Sequence, residues 1–309
     1  MQKQARIYVA GHESMIGAAI LRFLSNKDYN ANIIESPPGL DLTDQRATAD
    51  FFMSEKPECV FIAAGRVGGI MANSQFPAEF IYYNLQVECN IIHAAWMAGV
   101  KKLLFLGSSC TYPKECHQPM REEYLLTGKL EPTSEPYAIA KIAGMKMCQA
   151  YNKQYRTNYI SVIPADIYGP NDDFDPATAH VFASLLARMH AAKIANSPEV
   201  VVWGSGLPKR ELFFVDDLAS ACIFLINNYN ETSVINAGYG DDVSVKEMAL
   251  IIREVVGYQG KLTFDRSKPD GMPRKLLDST KIRKMGWKPG VGLRQGIEVT
   301  YKWYVKYIA

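Results

Sequence analysis

The sequence lacks several features that mark whole classes of protein. Its six cysteines include no CxxC pair and no cluster with histidine at the spacing of metal ligands. No apolar stretch reaches the roughly 18 residues of a membrane-spanning helix, and the N-terminus has no apolar signal-peptide core. We therefore expect reduced thiols, no bound metal, and a soluble cytoplasmic protein.

Neither sign of charge is in excess. The chain has 34 Lys and Arg residues against 32 Asp and Glu residues, a formal net charge of +2. Such a balance gives no general attraction to nucleic acid or to an anionic membrane, so we expect neither as a partner. Repeats, low-complexity tracts and flexible linkers are also missing, which predicts that any two domains pack together.

What the first half does contain is a regular alternation of β-branched runs and segments with helical spacing of apolar residues. The runs predict strands at residues 6–10, 31–34, 59–63, 102–106 and 159–164. The segments between them predict helices at residues 15–25, 45–54, 80–99 and 135–154. Strands that alternate with helices imply βαβ units and a parallel sheet.

This alternation predicts an α/β protein, with a Rossmann-type doubly wound parallel sheet and a smaller C-terminal α/β substrate domain. In the second half, glycines and prolines such as Gly204, Pro208, Gly238 and Pro269 separate shorter elements. We assign residues 1–170 and 211–238 to the dinucleotide-binding domain, and residues 171–210 and 239–309 to the substrate domain.

A candidate phosphate-binding turn joins the first strand to the first helix. Gly11 and Gly17 flank it, and backbone N–H groups at a helix N-terminus can hold a pyrophosphate. The turn resembles the GxxGxxG motif of short-chain dehydrogenases, with Ser14 at the middle glycine, where its hydroxyl could donate to a phosphate oxygen. A plain strand-to-helix turn is the alternative.

Glu35 follows the second predicted strand, 18 residues after Gly17. A carboxylate there accepts hydrogen bonds from the ribose hydroxyls of NADH and repels the 2′-phosphate of NADPH. We therefore expect NADH to be preferred, although either cofactor fits the fold and Glu35 could be a solvated loop acid. Asp41 and Leu42 are similar to the adenine-contacting segment of the same fold.

The catalytic candidates are Ser108, Tyr137 and Lys141. Ser108 follows a buried strand, where open α/β sheets place their ligands. Tyr137 and Lys141 are four residues apart on one predicted helix, which Ser134 and Pro136 begin, so their side chains share a face. We expect the ammonium to lower the pKa of the phenol, which makes it a proton donor to a reduced carbonyl.

Five blocks of sequence closely resemble the GDP-L-fucose synthase family of extended short-chain dehydrogenase/reductases, nearly from end to end. They cover residues 66–73, 103–110, 131–144, 202–206 and 268–278. The resemblance implies a bifunctional 3,5-epimerase/4-reductase that converts GDP-4-keto-6-deoxy-D-mannose to GDP-L-fucose with NADPH or NADH. It also implies a homodimer, paired through the helices near residues 80–99 and 138–154.

The resemblance assigns further residues. It implies that Cys110 and His180 are the acid/base pair for epimerisation, with Cys110 as a thiolate; a buried core cysteine and an ordinary histidine at a helix start are the alternatives. It also implies sugar-nucleotide contacts and cofactor contacts beyond those already named. The former are Arg188, Trp203, Arg210, Asp270 and Lys275, and the latter are Leu106, Lys141, Pro164, Ile167 and His180.

The chain departs from this family at a few positions. Glu35 and Pro37 stand near a position where NADPH-dependent relatives carry arginine, and Glu13 occupies another such position, which strengthens the expectation of NADH. Asp166 replaces the usual asparagine, with an effect that the sequence does not predict. Two other functions stay open: a sibling enzyme that makes GDP-colitose or a GDP-deoxyheptose, and a catalytically silent nucleotide-binding or regulatory protein.

Overall fold

The computed structural model describes residues 4–27, 32–175, 178–268 and 270–309. Its first half alternates strands and helices as the sequence predicts, although the second strand is short; Ala31 of the predicted strand and Pro269 lie outside the described residues. The elements are β1 Ile7–Ala10, α1 Met15–Ser25, β2 Ile33–Ile34, α2 Gln45–Glu55, β3 Cys59–Ile62, α3 Ile70–Gln75, α4 Pro77–Met97, β4 Lys102–Leu106, α5 Glu135–Tyr155 and β5 Tyr159–Pro164.

Shorter elements follow, as the spacing of glycine and proline predicts. They are β6 Asp166–Tyr168, α6 Val181–Ile194, β7 Glu199–Trp203, β8 Lys209–Arg210, β9 Leu212–Phe214, α7 Val215–Asn228, β10 Ile235–Ala237, β11 Val243–Ser244, α8 Val245–Val256, β12 Lys261–Asp265, β13 Arg274–Lys275, α9 Thr280–Lys284 and α10 Leu293–Tyr307. Within the described ranges, no helix is long and apolar enough to cross a membrane.

A parallel sheet organises the described part of the chain. Its six strands lie in the order β10-β5-β4-β3-β1-β2, and every neighbouring pair is parallel. Helices α4 and α5 pack together, and α2 packs on α4, whereas α1 packs on α7. This arrangement confirms the predicted α/β fold with a Rossmann-type sheet, and it brings the carboxyl ends of the strands to one edge.

The described part of the chain packs into three hydrophobic clusters. The largest surrounds the six-stranded sheet, and β1, β3 and β4 are almost entirely buried within it. The second lies among α6, α8, α10 and the parallel pair β7 and β12, and the smallest contains Cys110 and Tyr137. The clusters do not follow the predicted domain boundaries, since Trp287 lies in the largest and Tyr168 in the second. The two-domain assignment therefore stays a prediction.

The helix starts show how local sequence positions these elements. At α1, the Ser14 side chain accepts a hydrogen bond from the Gly17 N–H, which caps the helix. At α5, Ser134 occupies the N-cap position but makes no capping hydrogen bond, so the expected serine cap is wrong in its chemistry. Pro136 in the first turn still favours the start of α5 there.

One asparagine ties the sheet edge to two distant loops. Asn236 in β10 is fully buried, and its Oδ1 accepts a hydrogen bond of 2.7 Å from the Tyr112 hydroxyl. Its Nδ2 donates to the carbonyl oxygens of Met120 and Asp278, at 2.9 and 3.3 Å. Because Asp278 closely follows β13, this network helps to fix a strand of the substrate region against the sheet.

We expect Asn236→Ala to lower the free energy of unfolding by about 2–3 kcal/mol, because it leaves buried donors and acceptors without partners. Urea denaturation of both proteins measures the change. Asn228→Ala is the matched control, since Asn228 is exposed and donates only to a carbonyl of its own helix. Equal losses in the two variants would contradict the role of the buried network.

Candidate active site

The chain turns sharply after β4, and this turn carries two candidate residues. Ser108 is extended, and residues Ser109–Thr111 form a single 3₁₀ turn. The Ser108 Oγ accepts hydrogen bonds from the Cys110 N–H at 3.4 Å and from the Cys110 thiol at 3.1 Å. A tight turn therefore brings the two side chains together.

Tyr137 and Lys141 lie on the buried face of α5, below this turn. Both side chains are almost fully buried, with 8% and 4% of their surface exposed. The Tyr137 hydroxyl hydrogen-bonds to Ser108, and the Lys141 Nζ lies 5.8 Å from the centroid of the Tyr137 ring. The structure thus brings Ser108, Tyr137, Lys141 and Cys110 into one cluster at the carboxyl edge of the sheet.

The electrostatics of Tyr137 differ from the sequence-based expectation. Burial has the largest effect and raises the pKa of Tyr137 well above its usual value; in the alkaline range where the phenol titrates, the ionised forms of Cys110 and Glu88 raise it further. The hydrogen bond with Ser108 has the opposite, smaller effect. The expected lowering is absent because burial outweighs it, and Lys141 is in addition paired with Glu88. Tyr137 is therefore a protonated phenol at neutral pH.

Cys110 is also a neutral group in this structure. Only 6% of its surface is exposed, and this burial raises the pKa of its thiol. Lys275 and the hydrogen bond with Ser108 oppose the effect without reversing it. The expectation of a thiolate is wrong for the protein without substrate, because an anion buried here has too little compensating charge.

Asp166 contacts polar side chains from three other parts of the chain. Its carboxylate lies 3.4 Å from the Lys275 Nζ and 3.8 Å from the Arg210 Nε, and it accepts a hydrogen bond of 3.3 Å from Ser109. Burial alone would raise the pKa of Asp166, but the positive charges of Lys275, Arg210 and His180 lower it below its usual value. An ionised carboxylate therefore joins two of the predicted substrate cations.

His180 occupies the N-cap position of α6 and is an exposed residue. The surrounding protein nevertheless removes part of the ring's solvent, and this desolvation lowers the pKa of His180. Asp166 opposes the shift and Lys275 adds to it. The imidazole is therefore neutral at pH 7 and can accept a proton.

The remaining substrate candidates form a second group around β7. The Arg188 guanidinium donates to the Val201 carbonyl, on the wall of a cavity of about 420 Å³ between α6 and β7. Trp203 ends β7 with half its surface exposed. The Asp270 carboxylate accepts hydrogen bonds from the Ser205 N–H and hydroxyl, at 2.7 and 2.8 Å, and so holds the turn that follows Trp203.

The turn between β1 and α1 is tightly packed. Gly11 has a φ of +77°, and a Cβ there would lie 2.6 Å from the backbone of Ala64; a Cβ on Gly17 would lie 2.1 Å from the Gly11 carbonyl oxygen. Ser14 donates its hydroxyl proton to that same oxygen at 2.7 Å, so the expected donation to a phosphate is wrong for this conformation. Because Gly11 and Gly17 have no side chains, this turn at a helix N-terminus leaves room for the pyrophosphate of a dinucleotide.

Most other cofactor candidates lie at the same edge of the sheet. Glu35 follows β2 and is exposed, and Asp41 accepts hydrogen bonds from the Thr43 N–H and hydroxyl, which fixes the adjacent Leu42 segment. Two further candidates, Leu106 and Pro164, are the last residues of β4 and β5. Ile167 lies instead in the middle of β6, which pairs with β9 outside the six-stranded sheet.

The sequence argument missed Glu88. This residue lies on α4 with 1% of its surface exposed, and its Oε1 is 3.0 Å from the Lys141 Nζ. A signal was present, because Phe80, Asn84 and Glu88 are four residues apart on the buried face of α4. A carboxylate on an apolar helix face requires a buried partner, which the sequence alone does not identify.

Taken together, a parallel nucleotide-binding sheet with Ser108, Tyr137 and Lys141 at its carboxyl edge defines an extended short-chain dehydrogenase/reductase. The model of the NAD-dependent epimerase/dehydratase family matches residues 7–238. The chain is 50% identical to the GDP-L-fucose synthase of Escherichia coli K12 over 99% of this chain and 98% of that protein. It is 51% identical to GDP-L-fucose synthase 1 of Arabidopsis thaliana over 98% of this chain and 94% of that protein.

A solved structure is also similar. It is that of a GDP-D-glycero-L-gluco-heptose synthase from Campylobacter jejuni in the presence of NADPH, with a TM-score of 0.92, 36% identity and 99% of each chain covered. The chain belongs to the NAD-dependent epimerase/dehydratase family and, within it, to the GDP-L-fucose synthases.

The raised pKa of Cys110 has a measurable consequence. We expect iodoacetamide to label Cys110 slowly at pH 7, and the rate to keep rising beyond about pH 8.5, the ordinary thiol value, because only the thiolate reacts. Peptide mass spectrometry after labelling at each pH measures the rate, and Cys110→Ser identifies the peptide. A rate that is already maximal at pH 7 would show a thiolate and contradict the burial argument.

Proposed function

We propose that this protein catalyses both the C3/C5 epimerisation and the C4 reduction of GDP-4-keto-6-deoxy-D-mannose, and releases GDP-L-fucose. The observation that carries the proposal is one hydrogen-bonded cluster in which Ser108 joins the phenol of Tyr137 to the thiol of Cys110. A reductase requires the first of these groups, and an epimerase requires a second acid or base beside it. Both lie within reach of one bound ketone.

The reductase half uses the phenol. When bound, the reduced nicotinamide supplies a hydride to C4 of the sugar. Tyr137 then donates its proton to the C4 oxygen, which its raised pKa permits because the phenol stays protonated at neutral pH. Lys141 lies beneath the ring and stabilises the tyrosinate that remains, and Ser108 orients the ketone through its hydroxyl.

The epimerase half uses Cys110 after β4 and His180 at the start of α6. The protons at C3 and C5 flank the C4 ketone, so that loss of either gives an enolate, and the hydroxyls of Ser108 and Tyr137 stabilise its oxygen. Cys110 removes the proton from one face after its own proton has left, a loss that the positive charge of Lys275 favours. His180 returns a proton to the other face.

The sugar nucleotide binds across the two groups of polar residues. Lys275 and Arg210 supply positive charge to the diphosphate, and Asp166 holds both side chains in place between the sugar site and the phosphates. Arg188 and Trp203 lie beside β7, where the cavity next to Arg188 suits the guanosine and the exposed indole provides an aromatic wall. Asp270 keeps the turn after Trp203 closed.

A sibling GDP-sugar enzyme is the second candidate function. Asp166 is the observation that favours it, because a carboxylate accepts hydrogen bonds only, whereas the usual asparagine also donates them. The Campylobacter heptose synthase has the same fold at 36% identity, lower than the 50% of the Escherichia coli fucose synthase. NMR of the product formed from GDP-4-keto-6-deoxy-D-mannose distinguishes GDP-L-fucose from other outcomes.

We expect Cys110→Ser to reduce the incorporation of solvent deuterium at C3 and C5 by at least about 100-fold, because the general base is lost. Reduction of the C4 ketone continues, since Tyr137 is intact, and its product lacks inversion at C3 and C5. Cys89→Ser is the control, because Cys89 is an exposed cysteine on α4. Undiminished deuterium exchange in Cys110→Ser would remove the thiol from the mechanism.

The choice between NADH and NADPH depends on two acidic residues, Glu13 and Glu35, where the fold would place the adenosine ribose. We propose that NADH is preferred, because Glu35 is exposed at the end of β2 and Glu13 follows Gly11 in the phosphate turn. Both positions are negative where a 2′-phosphate requires positive charge. Solved relatives have been crystallised with NADP or NADPH, one of them at 36% identity, and their cofactor does not transfer to this chain residue by residue.

We expect Glu35→Arg to shift the ratio of kcat/KM for NADH and NADPH towards NADPH by at least about tenfold, or about 1.4 kcal/mol. Steady-state oxidation of each cofactor with the same sugar measures the ratio. Glu298→Arg makes the same charge change on the exposed face of α10 and should leave the ratio unaltered. A wild-type enzyme that prefers NADPH would make the Glu35 argument wrong while the proposed reaction stands.

Homodimerisation stays a prediction. Helices α4 and α5 carry an aromatic cluster of His93, Trp96, Tyr151 and Tyr155, in which the rings of Trp96 and Tyr155 stack at 4.3 Å. Tyr155 and Met97 are exposed beside it. Apolar and aromatic surface of this kind on the two helices supports pairing through this face.

A further inference from the structure

A buried ion pair lies directly beneath the proposed proton donor. Glu88 on α4 and Lys141 on α5 have 1% and 5% of their side-chain surfaces exposed, and the Glu88 Oε1 is 3.0 Å from the Lys141 Nζ. Among the described residues, neither carboxylate oxygen of Glu88 has another hydrogen-bond partner. The carboxylate is therefore dedicated to Lys141.

The fold makes room for this carboxylate. A Cβ on Gly144 would lie 2.7 Å from the Glu88 Oε2 and 2.4 Å from the Phe105 ring, so that no other residue at position 144 fits the observed packing. Ion pairs this deeply buried seldom stabilise a protein more than apolar side chains of the same size. Stability alone thus gives no reason to bury Glu88, and its place beside Lys141 points to the reaction.

The charges that face the cluster come from several elements. Tyr137 and Lys141 lie on α5, Glu88 faces them from α4, and Cys110 faces them from the turn after β4. Lys275 from β13 and Asp166 from β6 act on the cluster through Cys110. Among the charges that act on Tyr137, only Glu88 is in contact with the catalytic ammonium.

We propose that Glu88 is a positioning residue, which holds the ammonium of Lys141 beneath Tyr137 and offsets its charge so that the phenol keeps its proton until the ketone is reduced. This inference rests on the proposed function. In each turnover a hydride passes from the reduced nicotinamide to C4 and the phenol proton passes to the C4 oxygen. A proton from solvent then restores the tyrosinate to the phenol.

The charges of Glu88 and Lys141 determine the direction in which the pKa of Tyr137 moves in a Glu88 variant. In the alkaline range where Tyr137 titrates, Glu88 is ionised, and its negative charge raises the pKa of Tyr137. When that charge is removed, the ammonium of Lys141 acts on the phenol without its partner. Tyr137 then loses its proton at a lower pH, and the reductase loses its proton donor there.

The test is Glu88→Gln, which keeps the shape of the side chain. We expect the alkaline limb of the pH profile of reductase kcat/KM to move to lower pH by about one unit, with KM for the sugar nucleotide unchanged. Glu88→Asp retains the charge and should keep the limb near its wild-type position. A limb that does not move in Glu88→Gln, with only a lower melting temperature, would show a structural role and overturn the proposal.

The chain offers a matched control. Glu131 is 9% exposed, its Oε2 lies 3.0 Å from the Lys114 Nζ, and it is not among the groups that act on Tyr137. Glu131→Gln therefore makes the same chemical change in an ion pair whose lysine is partly exposed, and it should leave the alkaline limb in place. An equal movement of the limb in this variant would also overturn the proposal.

A second readout does not depend on turnover. The ultraviolet absorbance of tyrosinate, compared with that of a Tyr137→Phe protein in each background, follows the titration of Tyr137 without cofactor or sugar. We expect this titration at lower pH in Glu88→Gln than in the wild type. If the wild type reduces no GDP-4-keto sugar, the proposed function fails, whereas the absorbance titration still decides the role of Glu88.

A second pair of variants covers the case in which Glu88→Gln does not fold. If Glu88→Gln does not fold, Lys141→Met is compared with the double variant Glu88→Gln/Lys141→Met, in which no buried charge lacks a partner. The proposal expects tyrosinate to form at lower pH in the double variant than in Lys141→Met, because only the latter retains the negative charge. Equal titrations in these two proteins would overturn it.

Discussion

The close approach of α5 to α4 and to the sheet is the constraint on which the catalytic cluster depends. Gly144 permits it, because any side chain there would overlap Phe105 and Glu88. The approach buries Tyr137 and Lys141 against the turn after β4, where Ser108 and Cys110 meet. Helix packing, and not a long loop, therefore sets the distances between the reductase groups and the epimerase thiol.

Burial also sets the protonation states in the site. It raises the pKa of both Tyr137 and Cys110, and two cations beside them are partly neutralised, Lys141 by Glu88 and Lys275 by Asp166. The phenol of Tyr137 and the thiol of Cys110 are therefore protonated before substrate binds. The charge of the sugar nucleotide and its developing oxyanion then alters this balance.

Parts of this site were predictable because they depend on local sequence. The alternation of strands and helices gave the parallel sheet, and four-residue spacing put Tyr137 and Lys141 on one helix face. The position of Ser108 after a buried strand was also predictable, whereas the tight turn that brings Cys110 to it was not. The expected thiolate of Cys110 and lowered pKa of Tyr137 were wrong, because burial is a property of the whole fold and not of a motif.

The sequence by itself determined the fold class, the family and the identity of the reactive groups, since these depend on periodicity, spacing and matching blocks of residues. Only the tertiary structure decided which charges meet. Glu88 and Lys141 are 53 positions apart in the chain, and Asp166 and Lys275 are 109 positions apart. Ion pairs between helices and strands so distant in sequence form only when the sheet is assembled, because no local pattern specifies the partner of a buried charge.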